Sequence, residues 1–407
     1  MTLFQQLSDE QTWKDFLLYK AQCGNMTPAE ETDLVHFVAR KEYLPVVERM
    51  GNCEFPLPEK MLVSKMGSDR KRVVYTYPRE ENYVLKLLTY LLLRKYEYLF
   101  APNLYSFRVH HGVNEAIKKL KHDKKLSIRH VYKVDIHDYF NSVDVDLIIP
   151  QLEVVLKEDK EVLDFIKSVL LNKNVKQPDG SIVEERKGIM AGIPLSAFLA
   201  NLYLRDMDWH FENAGKRYLR YSDDIIIFEN SAKARERSAK VLLDYLREKH
   251  LEVNPKKEMR ADPGEEWTFL GVKFKDGLFD ISDASVTKIC GKMRRKYRAL
   301  IRWRHRKALP PEKAAKAFVK VFNRKLYENQ LRSDLTWTRW FFPIIDTTSG
   351  LRRIDSYMQQ CVRYIMTETR TKRNFNCRYS DIKELGYRSL VHEYYKHKEE
   401  TNSTAKI

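Results

Sequence analysis

Apolar and polar positions divide the chain into three successive patterns. In the first, Thr27-Pro28-Ala29-Glu30 reads as a helix start, with Thr27 as cap, proline in the first turn and Glu30 completing a capping box. Residues 1–60 are therefore expected to form a helical extension. In the second, the run RKRVVYTYP from Arg70 to Pro78 is rich in β-branched and aromatic residues, and it leads into a long apolar stretch from Asn82 to Phe100. That order predicts a strand followed by a buried helix. Strand-like runs at Val131–Ile136, Ile225–Phe228 and Phe269–Phe274 are separated by helical stretches, which predicts a mixed α and β core. In the third pattern, from about Asp283 onward, nearly everything is helical. Ile354, Met358, Cys361 and Ile365 fall there at i, i+4, i+7 and i+11, the stripe by which a helix packs.

Composition narrows the classes. With 407 residues, 43% hydrophobic and 12% aromatic, the chain can bury a large core and is expected to fold as two or three modules, which excludes disordered and collagen-like proteins. The longest apolar run, Val84 to Leu93, contains Lys86 and is far short of the roughly 20 residues that cross a bilayer, so no membrane partner is expected. The opening MTLFQQLSDE carries acids and lacks the basic-then-apolar order of a signal peptide, which predicts a cytoplasmic protein. Five cysteines (Cys23, Cys53, Cys290, Cys361, Cys377) are widely spaced and predict free thiols without structural zinc. His110, His111 and His137 read as structural or solvent-facing rather than as ligands.

Charge changes the picture most. Lys and Arg number 73 against 56 Asp and Glu, a net +17, and residues 291–329 hold 14 of the basic residues against only Glu312 and Glu328. Tyr297, Trp303, Phe318 and Phe322 are interleaved among them. This is the composition of helices that pack on one face and meet phosphates on the other, so Arg294, Arg295, Arg298, Arg302, Arg304, Arg306 and Lys307 are candidate nucleic-acid contacts.

Two acidic sites each interrupt or end an apolar strand, where an unpaired charge is costly. One is Asp135 in VYKVDIHDYF. The other is the pair Asp223–Asp224 in RYLRYSDDIIIF, which a hairpin of Tyr218–Tyr221 and Ile225–Phe228 would project from its turn. Set beside one another, the three carboxylates are tolerable when hard divalent cations neutralise them. Two Mg²⁺ ions, with Mn²⁺ as an alternative, would suit in-line phosphoryl displacement, the chemistry of nucleotidyl transfer.

The remaining motifs resemble those of reverse transcriptases, in order from about Arg72 to Gly271. Tyr221-Ser222-Asp223-Asp224 is similar to the family's YxDD box, Asp135 to its first catalytic aspartate, and Phe140, five residues on, to the aromatic that crowds a ribose 2′-hydroxyl. KGIMAGIPLSAFLANLYL, Lys187 to Leu204, resembles its glycine-proline-serine loop and helix, with Gly188, Gly192, Pro194, Ser196 and Asn201 at matching steps. The two glycines allow close backbone approach, and Leu195, Leu199 and Leu202 give the helix a buried stripe. LEVNPKK, ending at Lys257, is similar to the lysine-bearing segment, and Phe269-Leu270-Gly271 to the primer-grip hairpin. The resemblance implies an α+β right-hand polymerase: fingers and palm over 61–280, a basic helical thumb and C-terminal region over 281–407. It implies a metal site of Asp135, Ile136, Asp223 and Asp224, and a deoxynucleotide site of Arg72, Arg108, Tyr139, Phe140, Gly192, Pro194 and Lys257. An arginine suits that task because its planar fork binds phosphate oxygens bidentately.

Departures point to a subclass. Met190-Ala191 stands where most families carry Pro-Gln, and Ala197-Phe198 follows Ser196. The loop together with RIDSYMQQCVRYI and YSDIKELGYRSLVHEYY resembles the bacterial "unknown-group" enzymes, most of all the single-protein defence-associated reverse transcriptases of the type 2 class. That likeness implies a cognate structured non-coding RNA as template, a template–primer duplex and dNTPs as partners, and a role in defence against phage. An untemplated or self-primed DNA polymerase, an RNA-dependent RNA polymerase and an RNA-binding scaffold are the competing readings.

Overall fold

Why residues 3–51 are mostly helical, short of the sixty expected, is visible at the helix ends. Thr2 and Thr27 each cap a helix, and at the second the Thr27 amide donates to Glu30 Oε2 (2.7 Å) while Glu30 N donates to Thr27 Oγ1 (3.2 Å), the capping box expected from the sequence. The computed structural model describes residues 1–23, 26–64, 71–327 and 336–404, so Arg70, Glu328 and Asn329 lie outside the described residues. The chain forms two compact units, one of Met1–Gln22 with Met26–Glu265 and the other of Glu266–Ile407 with 23–25.

In the first unit, helices Leu3–Ser8, Glu10–Cys23, Pro28–Ala39 and Tyr43–Gly51 pack Leu3, Trp13, Phe16, Phe37 and Tyr43 into a core shared with the long helix Arg79–Lys95. One side chain fastens the start of the chain. Asp159, 0% exposed, accepts from the Leu3 amide (2.8 Å), the Tyr96 hydroxyl (2.7 Å) and Lys95 Nζ (2.5 Å). Its carboxyl is held below the ordinary value, since those hydrogen bonds and Lys95 outweigh the cost of burial.

Two antiparallel-rich sheets follow. Strands β1 (Glu59–Ser64), β2 (Lys71–Thr76), β4 (Asn174–Lys176) and β5 (Ile182–Glu184) form one, in the order β2-β1-β4-β5. Strands β3 (His130–Asp135), β6 (Arg217–Tyr221), β7 (Asp224–Glu229) and β8 (Met259–Ala261) form the other, in the order β6-β7-β3-β8 with every pairing antiparallel. β7 reads as a continuous apolar run because Ile225 to Phe228 are all buried, and helix Ala232–Glu248 packs Ala239, Leu242 and Leu246 on that sheet. The expected strand and buried helix after Arg70 are β2 and Arg79–Lys95.

The second unit begins with a small sheet of β9 (Trp267–Phe269), β10 (Val272–Lys275) and β11 (Leu278–Ile281), so the strand-like run at 269–274 comprises the end of β9, the Leu270–Gly271 turn and most of β10. Beyond it all is helical: Asp283–Arg306, Pro311–Leu326, Trp337–Phe341, Ser349–Thr367, Tyr379–Glu384 and Leu390–Thr404. The stripe Ile354, Met358, Cys361 and Ile365 is buried. Among the described residues no helix is long and apolar enough to cross a membrane, and all five cysteines are free.

Removing the Asp159 carboxylate strands a buried amide and hydroxyl. Asp159→Ala is expected to lower unfolding free energy by about 3 kcal/mol, read as a shift in the urea midpoint.

Candidate active site

Antiparallel register brings the two acidic motifs together. Asp135 at the end of β3 lies opposite Asp224 at the start of β7, and the Ile136 amide donates to the Asp223 carbonyl (2.9 Å). Asp223 and Ser222 are the two central residues of the β6–β7 hairpin, in which Tyr221 pairs with Asp224. Ser222 sits at φ +58°, a left-handed conformation that turns of this length require and that serine adopts only under constraint.

The constraint is a buried polar network. Arg220, 0% exposed, pairs bidentately with the equally buried Asp208 (Nε–Oδ1 2.8 Å, Nη2–Oδ2 2.5 Å) and donates onward to the carbonyls of Ser222 and Asn201 (3.3 Å each). The Tyr218 hydroxyl donates to Asp208 (2.7 Å), and the Asn201 and Ser106 side chains bond one another and the Ser106 carbonyl. The backbone of Arg220 is zipped to Asn103 and Tyr105, so the edge of β6 is covered. Arg220 therefore grips the turn from beneath. The sequence reading missed both partners, because a buried arginine in RYLRY looks like any strand residue until Asp208 is placed beside it.

Two lysines stand at the carboxylates. Lys257 Nζ reaches Asp135 Oδ2 (2.5 Å) and Lys133 Nζ reaches Asp224 Oδ1 (3.2 Å). Lys133 was also missed, although it is two residues before Asp135 and so on the same face of β3. Burial, then the charge of Asp135, raises the Asp223 carboxyl above its ordinary value, despite Lys257 and Arg72 nearby. Burial raises Asp224 to about 6, with Lys133 opposing. Among the described residues no three acidic, histidine or cysteine side chains converge as one ready-made metal cluster. The donor set nevertheless fits hard divalent ions: all-oxygen carboxylates crowded at one edge, and an Asp224 Oδ1 that is buried with the Lys133 ammonium at 3.2 Å but no well-formed hydrogen bond.

Around the carboxylates, Asp138 at φ +44° turns the chain into the short helix Tyr139–Ser142. Phe140 is half-buried against Tyr139 (5.7 Å between centroids) and Phe107 (6.3 Å). Phe107, 39% exposed, also approaches Tyr221 (6.4 Å), so an aromatic floor that sequence reasoning did not anticipate links the motifs. The 187–195 loop lies against both neighbours. A Cβ on Gly188 would meet the Phe140 carbonyl at 2.5 Å, and one on Gly192 (φ +109°) would meet the Tyr75 carbonyl at 2.7 Å. Asn141 Oδ1 accepts from Ala191 N (2.9 Å), and the Ala191 carbonyl accepts from Tyr75 N (2.7 Å), which ties Gly192 and the half-exposed Pro194 to the strand that carries Arg72. Arg72 is exposed on β2.

Several residues expected at the site or on the basic helix are engaged within the protein. Arg108 is only 6% exposed in its side chain and is engaged by Glu97 (2.7 and 2.8 Å) and the carbonyls of Ala101 (2.6 Å) and Leu104 (3.0 Å), so its guanidinium holds a turn together and is not free for a phosphate in this conformation. Tyr139 is fully buried, with its hydroxyl donated to the Ala200 carbonyl (2.6 Å), and the Ile136 side chain is likewise core. In the second unit, Arg304 turns inward to Glu368 and the Ile365 carbonyl. Arg294 reaches Tyr357, whereas Arg295, Arg298, Arg302 and Arg306 are exposed at i, i+3, i+7 and i+11, one stripe on the side of Asp283–Arg306 away from Val286, Ile289, Met293, Tyr297 and Leu300; Lys307 is exposed just beyond the helix.

Two outcomes test this arrangement. Arg220→Met strands Asp208 in the interior and is expected to cost about 3–5 kcal/mol, with Asp208→Leu added in the same chain costing less than the sum of the two, by urea denaturation. Asp223 has a folded pKa above its ordinary 3.8, so the stability it contributes is complete below that value and is lost as pH rises through the folded pKa. Asp223→Asn is thus expected to raise Tm at pH 8 in metal-free buffer and to leave it unchanged at strongly acidic pH, while abolishing any nucleotidyl transfer.

Among solved structures the chain is similar to apo telomerase from Candida tropicalis (11% identity, TM-score 0.48, covering 83% of this chain and 69% of that one). It is also similar to telomerase from Candida albicans in complex with a TWJ fragment of telomeric RNA (11%, TM-score 0.46, 86% and 68%). A C-terminally truncated Candida tropicalis telomerase matches at 14% identity and TM-score 0.44 over 56% of this chain, which spans 55% of that one. No curated protein matches the sequence. The family model described as reverse transcriptase (RNA-dependent DNA polymerase) matches residues 65–274, more than half of the chain and every residue of the carboxylate site, and the chain belongs to that family.

Proposed function

We propose that this protein copies a cognate structured non-coding RNA into complementary DNA by a mechanism using two Mg²⁺ ions, and that it acts in bacterial defence against phage. The observation that carries the polymerase part is the register that pairs Asp135 with Asp224 and seats Asp223 in the adjoining turn. Asp135 and Asp223 would hold the ions, with Asp224 in support. When bound, a pair of divalent ions activates the primer 3′-hydroxyl and stabilises charge on the leaving pyrophosphate. Lys257 exchanges its partner Asp135 for the incoming phosphates, and Arg72 on β2 clamps them. Phe140, braced by Phe107 and Tyr139, lies beneath the sugar and excludes a 2′-hydroxyl. The exposed stripe Arg295, Arg298, Arg302 and Arg306 holds nucleic-acid backbone without reading sequence. The template and defence assignments rest on the likeness of the 187–204 loop and the C-terminal segment to defence-associated enzymes.

The deciding experiment is purification from cells carrying the native flanking DNA, sequencing of the co-purifying nucleic acid, and addition of Mg²⁺ with each dNTP or rNTP. A defined small RNA extended into its complement is the expected result. Homopolymer synthesis that ignores the RNA would establish an untemplated polymerase, and bound RNA without synthesis would establish a scaffold. Phe140→Ala is expected to gain ribonucleotide incorporation in the same assay, and no gain would remove the sugar gate.

A further inference from the structure

The second unit contains a cleft of about 390 Å³ beside the turn that resembles the primer-grip hairpin, and its lysines and tryptophans have no part in the function proposed above. It is lined by Leu270 and Gly271, by Lys288 and Lys292 on helix Asp283–Arg306, by Lys325 on helix Pro311–Leu326, and by Trp337, Trp340 and Phe341.

Its electrostatics are one-sided. Among the described residues none of the three lysines has a carboxylate at ion-pair distance, although they come from two different helices. Burial, then the neighbouring cations Lys325, Lys288 and Arg295, holds the Lys292 ammonium below its ordinary value. Like charges gathered without a counter-charge cost stability unless a polyanion is bound. Lys288 and Lys292 also continue the stripe of Arg295, Arg298, Arg302 and Arg306 at helical spacing, so the cleft is the end of an exposed cationic track. Arginine and lysine along a helix suffice to hold a duplex backbone; two half-exposed indoles at the end of the track do not serve that purpose, because in a duplex the base faces are already stacked.

The turn that roofs the cleft is strained. Leu270 and Gly271 are the two central residues between β9 and β10, with φ of +49° and +86°. Such turns ordinarily place asparagine or glycine first, and a leucine in the left-handed region is an outlier of the kind that accumulates at ligand sites. Ser285 Oγ and the Ser282 amide both donate to the Gly271 carbonyl (3.0 Å each) and hold the strained conformation in place, with the half-buried Leu270 side chain at the cleft.

We propose that this cleft binds an unpaired nucleotide of a single-stranded nucleic acid, its base stacked on Trp337 or Trp340 and its flanking phosphates held by Lys288, Lys292 and Lys325. A base that has left its partner exposes both π-faces, and stacking on an aromatic side chain tolerates any base. The three ammonium groups bind phosphate as point charges, which suits a flexible strand better than a fixed fork would. The inference rests on the polymerase reading only for the origin of the strand; the chemistry of the cleft stands without it.

The test uses the full chain on an Asp223→Ala background in EDTA, so that strand binding is read separately from nucleotidyl transfer. Fluorescence anisotropy is followed with labelled oligo(dT), oligo(rU) and a blunt hairpin duplex. Trp337→Ala and Trp340→Ala are expected to weaken single-strand binding, the stacked residue by roughly tenfold or more, with Trp→Phe restoring most of it. Lys288→Gln/Lys292→Gln/Lys325→Gln is expected to flatten the dependence of log K on log salt by about 2 for the single strands. Blunt duplex binding should be unchanged in the tryptophan variants, whereas the lysine variant also removes part of the cationic track and should weaken it. Unchanged single-strand affinity, or an equal loss for the blunt duplex in the tryptophan variants, would overturn the proposal, as would a poly-glutamate peptide competing as well as the oligonucleotide. Should the tryptophan variants fail to fold by circular dichroism, the lysine variant and the Trp→Phe pair still decide the matter. Equal binding of the two oligonucleotides would leave the sugar unread, and preference for one would name the strand; both support the site.

Discussion

One buried charge pair sets the position of the acidic turn. Asp208 and Arg220 are both removed from water, and an ion pair in that environment is tolerable only when every remaining donor and acceptor is occupied. Here the surplus donors of the guanidinium fall on the carbonyls of Ser222 and Asn201, and the second demand on Asp208 is met by Tyr218. Because few arrangements satisfy all of these groups together, the hairpin turn, the end of helix Ser196–Tyr203 and the 103–106 segment are held to one another. The strained backbone at Ser222 is supported by the same network, which converts the rigidity of the core into a defined position for Asp223.

Above that platform the electrostatics run the other way. Three carboxylates meet at one end of the β6-β7-β3-β8 sheet, and burial makes Asp223 and Asp224 reluctant to ionise. Lys133 and Lys257 relieve part of the repulsion. Such an accumulation of like charge lowers stability, and its presence in an otherwise well-satisfied core marks a place where function outweighs it. The second unit shows the same logic with opposite sign: a helix whose apolar face is sealed presents a cationic face with little acid to balance it, and at its end the indoles and lysines of the cleft wait on an anion with an aromatic face.

Much of the fold and of the site was legible in the residues. The capping box at Thr27, the apolar run of β7, the packing stripe from Ile354 to Ile365 and the alternation that turns Tyr221 to Asp224 into a hairpin are local patterns. Each depends on residues within a few positions of one another. The carboxylates could be found the same way, because a charge that ends an apolar strand is visible without its neighbours. Periodicity alone merged two strands over 269–274 for a matching reason: a leucine in a left-handed turn gives no local signal of the break at Leu270–Gly271, which only the likeness to a hairpin indicated.

The chain by itself determined which segments become helix or strand, where the acids fall and how strongly basic the C-terminal third is, since these follow from side-chain chemistry and from spacings of two or about 3.6 residues. Tertiary structure alone decided which charges are free to act. Arg72 and Arg108 are the same residue type in similar surroundings of sequence, yet one is exposed on β2 and the other is consumed by Glu97 and two carbonyls. Lys133, Arg220 and Lys288 looked ordinary, and each acquired its role from partners 12 to 91 residues away. A hydrogen bond or ion pair depends on proximity in space, and long-range proximity is a property of the packed core that no local pattern encodes.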